Sequence, residues 1–328
     1  MTTSNLGLSF LVLTMNLSIY SILGSIIGIK LNNMQIKQSS KNAAYCTFFT
    51  TLISAICLVY AFVTNDFSIK YVFNHSSLSM NPAYTWVAMY AGNEGSLLYI
   101  ALIISVSILL VLKFKPKDMI ESEPHLIALM SGFLLFFISV MVFFANPFDT
   151  FQSNIPSDGR GMNPLLAHPG MFSHPPLLMA GLASISIPFS LITSMILTGT
   201  FRNNGLDFVR TTSLIVWCIL GVGLLLGSWW AYTILGWGGY WVWDPIENVG
   251  LMPWLVMTAF IHSIIVQRRR GMFRVWNVVL IFLAFVLAQF GMFINRGGPV
   301  VSVHSFAAST LGYIFLGFMV LSALFCAI

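Results

Sequence analysis

Residues 127–147 read IALMSGFLLFFISVMVFFANP, and no charged side chain interrupts them. A helix needs about 20 apolar residues to cross the hydrocarbon core of a bilayer. Because an open strand in lipid cannot pair its backbone polar groups, this run predicts a membrane-spanning helix. Further apolar runs of similar length flank it, at 7–29, 44–64, 95–112, 175–199, 212–234, 250–267, 275–294 and 309–328. The sequence therefore predicts an all-α integral membrane protein with about nine transmembrane helices.

The composition supports this fold class and excludes several others. Of the 328 residues, 57% are hydrophobic and only 8% are charged, whereas soluble globular domains carry about 25% charged residues. These values exclude a soluble enzyme, a disordered chain and a secreted domain held by disulfides. The net charge of +5 is interpreted as a determinant of membrane topology. We therefore expect membrane lipid, and no nucleic acid, as a partner.

The basic residues segregate between alternate loops and so predict the orientation of the chain. Twelve of the fifteen fall in one set of loops: Lys30, Lys37, Lys41, Lys113, Lys115, Lys117, Arg202, Arg210, Arg268, Arg269, Arg270 and Arg274. The other set holds only Lys70, Arg160 and Arg296. Basic loops stay on the cytoplasmic or matrix side of a membrane. The outer loops are then 65–94, 148–174, 235–249 and 295–308, and the amino terminus lies outside.

One outer loop and its flanks are unusually rich in tryptophan. Residues 228–255 read SWWAYTILGWGGYWVWDPIENVGLMPWL and hold six of the nine tryptophans. Trp237, Trp241 and Trp243 lie in the loop itself, beside glycines and Asp244. Aromatic faces stack on flat ligands, and glycine lets a backbone approach closely. The segment predicts either a platform for a large planar ligand or an interfacial aromatic belt, with Asp244 as a ligand-orienting group or a helix cap.

Three of the six histidines have contexts that suggest ligands. His174 precedes two prolines at the outer end of the fifth predicted span, and His304 lies in the last outer loop. Two neutral imidazoles are a common axial pair for haem iron, although His168 is an alternative to His174, and a loop histidine is often only a surface residue. His262 lies inside the seventh span, where an ionisable residue is a functional candidate or a hydrogen-bonding partner of a neighbouring helix. We expect His75 to be a surface residue.

Arg296 completes the set of candidate site residues. It lies in the last outer loop, together with His304. Its guanidinium could pair with a haem propionate, but a topology or capping arginine is an equal alternative.

Several spaced motifs together resemble the CcmF family of cytochrome c maturation proteins, within the haem-handling group named for its WWD domain. WGGYWVWDPIENVGLMPWL matches the family signature, HPP at His174 and SVHSFA around His304 resemble its two outer histidine motifs, and AFIHS holds the embedded His262. GNEGSLLYI, residues 92–100, resembles a further segment. The likeness suggests three regions: amino-terminal helices (1–80), a haem-handling core (81–308) and a final helix (309–328).

The resemblance implies a haem lyase subunit that is active within a complex. Haem b would arrive from a CcmE-like chaperone, His174 and His304 would ligate its iron, and its vinyl groups would be joined to the CxxCH thiols of apocytochrome c. A thiol-handling CcmH-like subunit is a further expected partner. His262 would be one ligand of a second b-type haem. The alternative is a CcmC-like haem handler or transporter without ligation chemistry, and no catalytic residue is assigned.

The sequence departs from the family pattern in two places. Asn93 stands where the family usually has histidine, so only Glu94 of that pair carries over. The second embedded histidine of the family has no counterpart in these 328 residues, so we expect either a separate carboxy-terminal CcmF part or an incomplete b-type haem site. Split forms occur in mitochondria, so we expect the mitochondrial inner membrane, with the haem site facing the intermembrane space. The bacterial inner membrane, with the site facing the periplasm, is the alternative.

Overall fold

A computed structural model describes residues 2–234, 236, 238–297, 300, 302 and 310–328, and helices make up most of this part of the chain. Within these ranges, strand-like pairing is limited to a single bridge between Ile69 and Thr150. The α-helices are α1 (Thr3–Lys30), α2 (Met34–Val63), α3 (Lys70–His75), α4 (Pro82–Thr85), α5 (Asn93–Phe114), α6 (Glu123–Phe143), α7 (His174–Ser184), α8 (Ser186–Thr198), α9 (Asn203–Ile234), α10 (Pro245–Arg270), α11 (Arg274–Asn295) and α12 (Leu311–Ala327). The predicted all-α membrane fold is confirmed.

Among the residues that the structure describes, eight helical segments are long and apolar enough to cross a membrane. They coincide with the first eight predicted spans, and the fifth is formed by α7 and α8 together. The ninth predicted span corresponds to α12, which has 17 residues and is shorter than the other eight. The break between α7 and α8 falls just before Pro188, whose ring is accommodated in the first turn of a new helix.

The chain forms two compact units. The first comprises residues 1–114 and 123–171, and the second comprises residues 115–122 and 172–328. These units are defined by packing, whereas the expected division at residues 80 and 308 rests on family resemblance, so that division stays a prediction.

Small residues pack α1 against α2 in the first unit. A stripe along α1 is buried: Ser4, Gly7, Leu11, Thr14, Ser18, Ser21, Gly24, Ser25 and Gly28. Small side chains let membrane helices approach closely, and their hydroxyls can bond across the interface. Thr14 Oγ1 donates to Thr50 Oγ1 at 2.7 Å, and Ser54 Oγ donates to the carbonyl of Gly7 at 3.0 Å. The interface is therefore polar and close, although both helices are apolar overall.

Glycines and aromatic rings pack the second unit. A Cβ added to Gly181 of α7 would lie 2.6 Å from the Leu220 Cα of α9, so these two helices touch through backbone atoms. The ring of Trp217 on α9 stacks on Trp254 of α10 with 5.1 Å between centroids. The Trp217 indole also donates to Thr258 Oγ1 at 2.7 Å. This packing fixes α7, α9 and α10 around the residues of the candidate site.

Candidate haem-binding site

His174 is the first residue of α7 and is held from a neighbouring helix. Its Nδ1 lies 2.8 Å from the carbonyl oxygen of Gly223 on α9. A carbonyl can only accept a hydrogen bond, so Nδ1 carries the proton and the lone pair of the neutral ring is on Nε2. Metal-ligating histidines are commonly oriented in this way, with the second ring nitrogen donating to a carbonyl.

The space for the His174 ring depends on Gly227, one helical turn beyond Gly223. A Cβ at Gly227 would lie 2.5 Å from His174 Cε1, so any other residue would displace the imidazole. Trp230 lies one turn further along α9, and its ring packs edge-on against the His174 imidazole with 5.7 Å between centroids. Sequence reasoning missed Gly223 and Gly227, although their four-residue spacing is a signal of close helix packing.

The structure distinguishes His174 from His168. His168 Nδ1 accepts a hydrogen bond from the backbone N–H of Gly170 at 3.0 Å. Its lone pair is therefore engaged, and the neutral ring carries its proton on Nε2. His168 also belongs to the first compact unit, whereas His174 belongs to the second. The ring chemistry favours His174 as the ligand.

The tryptophan loop presents aromatic surface outside a very small cavity. A cavity of about 30 Å³ beside His174 is lined by Gly227, Ser228, Trp241 and Glu247, together with apolar side chains. It has room for about one water molecule, so a porphyrin does not fit inside this cavity. Trp243 is 69% exposed. The buried Trp241 Nε1 has no hydrogen-bond partner among the described residues.

Trp243 has an unusual backbone conformation directly before the helix. Its φ is +62°, a left-handed conformation that is strained for a bulky side chain. Its carbonyl accepts a hydrogen bond from Asn248 Nδ2 at 2.9 Å. This bond ties the strained residue to the first turns of α10.

Asp244 is the amino-terminal cap of α10. Its Oδ2 accepts the Ile246 N–H at 3.0 Å, while Glu247 Oε2 accepts the Asp244 N–H at 3.2 Å. These reciprocal bonds form a capping box. Ser302 Oγ also donates to Asp244 Oδ2 at 2.6 Å, which ties the last outer loop to the tryptophan loop. The capping alternative is thus confirmed, and contact of Asp244 with haem stays a prediction.

The remaining candidates in the outer loops are Arg296, Trp237 and His304. Arg296 is the carboxy-terminal cap of α11 and is only 1% exposed, and its contact with a propionate stays a prediction. Trp237 and His304 lie outside the described residues. Ser302 is two positions from His304 and contacts Asp244, so the described part of this loop reaches the tryptophan loop.

His262 lies on the exposed surface of α10. Its Nδ1 donates to the Thr258 carbonyl of the same helix at 2.8 Å, which again leaves the lone pair on Nε2. Among the described residues of this compact unit, the only other histidine is His174, at the outer end of α7. A role for His262 as one ligand of an inner haem stays a prediction.

The GNEGS segment begins α5, in the first unit, and packs on His75. A Cβ at Gly92 would lie 2.4 Å from His75 Nε2, and His75 Nδ1 donates to the Tyr71 carbonyl at 2.9 Å. Tyr71 Oη donates to the Met89 carbonyl and accepts the Gly92 N–H, at 2.8 Å and 2.9 Å. The expectation that His75 is a surface residue was wrong, because its ring supports this turn. Burial lowers its pKa, and Glu94 opposes that effect.

Comparisons with known proteins agree with the motif resemblance. The cytochrome c-type biogenesis protein CcmF of Haemophilus influenzae is 36% identical over 322 residues, which cover 97% of this chain and 49% of that protein. CcmF of Pseudomonas fluorescens is 40% identical over 270 residues, 81% of this chain and 40% of that protein. The chain spans about half the length of these relatives. Because the alignment covers 97% of the chain, it also takes in nearly all of residues 1–80.

A solved structure and a family model extend the comparison. The structure of "Cytochrome c Heme Lyase CcmF" matches with a TM-score of 0.85 and 28% identity, over 100% of this chain and 51% of that one. The family model described as "Cytochrome C assembly protein" matches residues 90–298, which is more than half of the chain. The resemblance to CcmF proteins is confirmed, and the chain belongs to the cytochrome c assembly protein family.

Proposed function

We propose that this chain is a subunit of a cytochrome c haem lyase, and that it holds haem at the outer face of the membrane. The observation that supports this most strongly is the hydrogen bond from His174 Nδ1 to the Gly223 carbonyl. It sets the tautomer in which Nε2 is the ligating nitrogen, before any iron arrives. A histidine that was only a surface residue would not need two glycines of another helix to shape its surroundings.

The surroundings of His174 suit a porphyrin that binds at the surface. Trp243 and Tyr240 are exposed in the tryptophan loop, and flat aromatic faces stack well on a macrocycle. The unpartnered Trp241 N–H provides a donor beside the imidazole. His304 would be the second axial ligand, in a loop that Ser302 connects to Asp244.

The proposed reaction joins haem to apocytochrome c through two thioether bonds. Each CxxCH thiol would add across a haem vinyl group, so that sulfur bonds to one vinyl carbon and the thiol hydrogen ends on the other. This addition needs no external oxidant or reductant. The chain would contribute mainly orientation of the two reactants. No catalytic acid or base is assigned.

A second, b-type haem is proposed at His262 on the inner side. The Thr258 carbonyl orients the ring, and the exposed position leaves room for a planar group against α10. Because the described residues of this unit hold one histidine here, the other ligand would come from a separate carboxy-terminal CcmF part. When bound, this haem would supply electrons that keep the iron of the transferred haem reduced.

The proposed partners are a CcmE-like haem chaperone, apocytochrome c, a thiol-handling CcmH-like subunit and membrane lipid. The proposed location is an inner membrane, either mitochondrial, with the outer haem site facing the intermembrane space, or bacterial, with that site facing the periplasm. The bacterial relatives support the second alternative.

Absorption spectroscopy of the detergent-purified chain tests the two haem sites. The chain is co-expressed with the rest of a CcmF protein and a haem chaperone, and haem is quantified as its pyridine haemochrome. We expect a Soret band that weakens in the His174→Ala, His304→Ala double variant and a residual band that disappears with His262→Ala. A band that the double variant leaves unchanged would refute the outer site.

Covalent attachment needs its own measurement. Haem-stained gels of a co-expressed cytochrome c report thioether formation directly. We expect staining to be lost in the His174→Ala, His304→Ala variant. Full staining in that variant, with outer haem gone, would mean that the chain handles haem without taking part in ligation.

A further inference from the structure

A polar cleft in the first compact unit lies outside the site described above. It has a volume of about 530 Å³ and runs between residues 77–84 and 160–167. This volume is in the range of ligand sites. Its lining is composed of hydroxyls, an amide, one guanidinium, two thioethers and small residues: Ser77, Ser79, Met80, Asn81, Tyr84, Arg160, Gly161, Met162 and Ala167.

The two walls of the cleft are joined by several hydrogen bonds. The Arg160 N–H donates to the Phe73 carbonyl at 2.8 Å, and the Gly161 N–H donates to the Ser76 carbonyl at 2.9 Å. Asp158 Oδ1 accepts the Leu78 N–H at 2.8 Å. A Cβ at Gly159 would lie 2.0 Å from the Ser76 carbonyl oxygen, so the loops approach as closely as glycine allows. The cleft is therefore a formed feature of the fold.

Arg160 gives the cleft a positively charged group, and no described carboxylate forms an ion pair with it. Its guanidinium lies 5.3 Å from the centroid of the Phe73 ring, and it is absent from the ion pairs of the described chain. The nearby Asp158 uses its Oδ1 on backbone N–H groups. The charge pattern places Arg160 on the outer side, where basic residues are disfavoured. A guanidinium that stacks on an aromatic ring can still donate two parallel hydrogen bonds to a carboxylate.

We propose that this cleft binds an acidic segment of a polypeptide partner, with Arg160 paired to a carboxylate of that segment. The hydroxyl and amide groups of the lining can bond to the backbone of an extended peptide. Met80 and Met162 provide adaptable apolar contacts. The lining contains no branched aliphatic side chain, so it offers an acyl chain little surface. This site is independent of the proposed haem chemistry.

Fluorescence anisotropy tests the proposal. The chain is placed in phosphatidylcholine nanodiscs and titrated with a fluorescein-labelled peptide of alternating Glu and Ser. A peptide with Gln at each Glu position serves as the neutral probe. We expect saturable binding of the acidic peptide that is at least about tenfold tighter than that of the neutral one, and a loss of this preference in Arg160→Gln.

Matched variants separate specific binding from general attraction. Lys70→Gln removes the other exposed outer-side basic residue and should leave the affinity unchanged. Arg160→Lys keeps the positive charge but lacks the forked donors of a guanidinium, so it should retain part of the affinity for the acidic peptide. Thermal unfolding of each variant checks that the loops remain folded.

Several outcomes would overturn the proposal, and the first three concern peptide affinity. They are equal peptide affinity in wild type and folded Arg160→Gln, an equal loss in Lys70→Gln, and no saturable binding. Displacement of the peptide by phosphatidylglycerol in the nanodisc, in wild type but not in Lys70→Gln, would likewise refute it in favour of non-specific surface charge. Displacement of the peptide by phosphatidylglycerol from both the wild type and Lys70→Gln would identify a lipid as the occupant instead.

Discussion

His174 and His262 have the same tautomer but differ in what fixes it. His174 donates to a carbonyl 49 positions away on another helix and is half-buried against Gly227. His262 donates to a carbonyl four positions away on its own helix and is exposed. The first ring depends on tertiary packing, whereas the second needs only an intact α10. The His174 ring is therefore preorganised by contacts within this chain, whereas the proposed inner site at His262 would need a second ligand from elsewhere.

The largest effect expected from this difference follows a change of one glycine. Gly227→Ala would place a methyl group 2.5 Å from His174 Cε1, so the imidazole must move away from the Gly223 carbonyl. We expect outer haem binding to weaken at least about tenfold, measured by Soret titration in a His262→Ala background. Helix content by circular dichroism should not change, because alanine favours helix.

Gly317→Ala is the matched control for this substitution. It lies in α12, in the same unit, and a Cβ there would meet nothing within 4 Å. Outer haem binding should be unchanged in this variant. Normal binding in Gly227→Ala would show that the long-range contact does not position His174, and the contrast with His262 would no longer hold.

A smaller effect, on stability, is expected at Asp244, which caps α10 directly after the tryptophan loop. Asp244→Ala removes the cap of α10 and the acceptor for Ser302, and loss of a cap costs about 0.5–2 kcal/mol of unfolding free energy. We expect a lower unfolding temperature in detergent. Asp244→Asn retains a capping oxygen and should unfold close to wild type.

The Asp244→Asn variant also separates capping from contact with haem. If Asp244 acts only as a cap, this variant should attach haem as wild type does. A folded, stable Asp244→Asn chain that attaches no haem would instead assign a role to the carboxylate charge. Covalent haem staining of a co-expressed cytochrome c distinguishes the two results.

The spans could be predicted from sequence because burial in lipid depends on local composition. Their ends could not, because capping and polar contacts extend helices beyond the apolar run. The second span was predicted to begin at 44, yet α2 begins at Met34, where Asn33 caps it. Within the added turns, Lys41 pairs with Glu123 at 3.0 Å. Hydropathy does not report such contacts.

The candidate site was predictable in its chemistry but not in its support. His174, Trp241 and Asp244 have recognisable side chains in an unusual pattern. Gly223 and Gly227 act through a carbonyl and through the absence of a side chain, and both effects depend on α7 lying against α9. The sequence indicates the candidate ligand His174, whereas only the fold shows what orients its ring.

The smallest expected effect concerns His75 and the pH dependence of stability. His75 combines one feature of each of the other two histidines. Like His262 it donates to a carbonyl four positions earlier on its own helix, but like His174 it packs against a glycine. Burial lowers its pKa, while the Tyr71 carbonyl and Glu94 act in the opposite direction. The unfolded chain therefore takes up this proton at a higher pH than the folded chain, so its protonation favours unfolding.

The sign of this effect sets the pH range of the measurement. The stability linked to His75 should be complete above the unfolded histidine pKa of about 6.5 and decline as the pH falls below it. We expect the unfolding temperature to decrease from about pH 8 to about pH 5 and to decrease less in His75→Gln. An equal decrease in both proteins would mean that protonation of His75 is not linked to unfolding. Packing against Gly92 would then affect the position of the ring but not the pH dependence of stability.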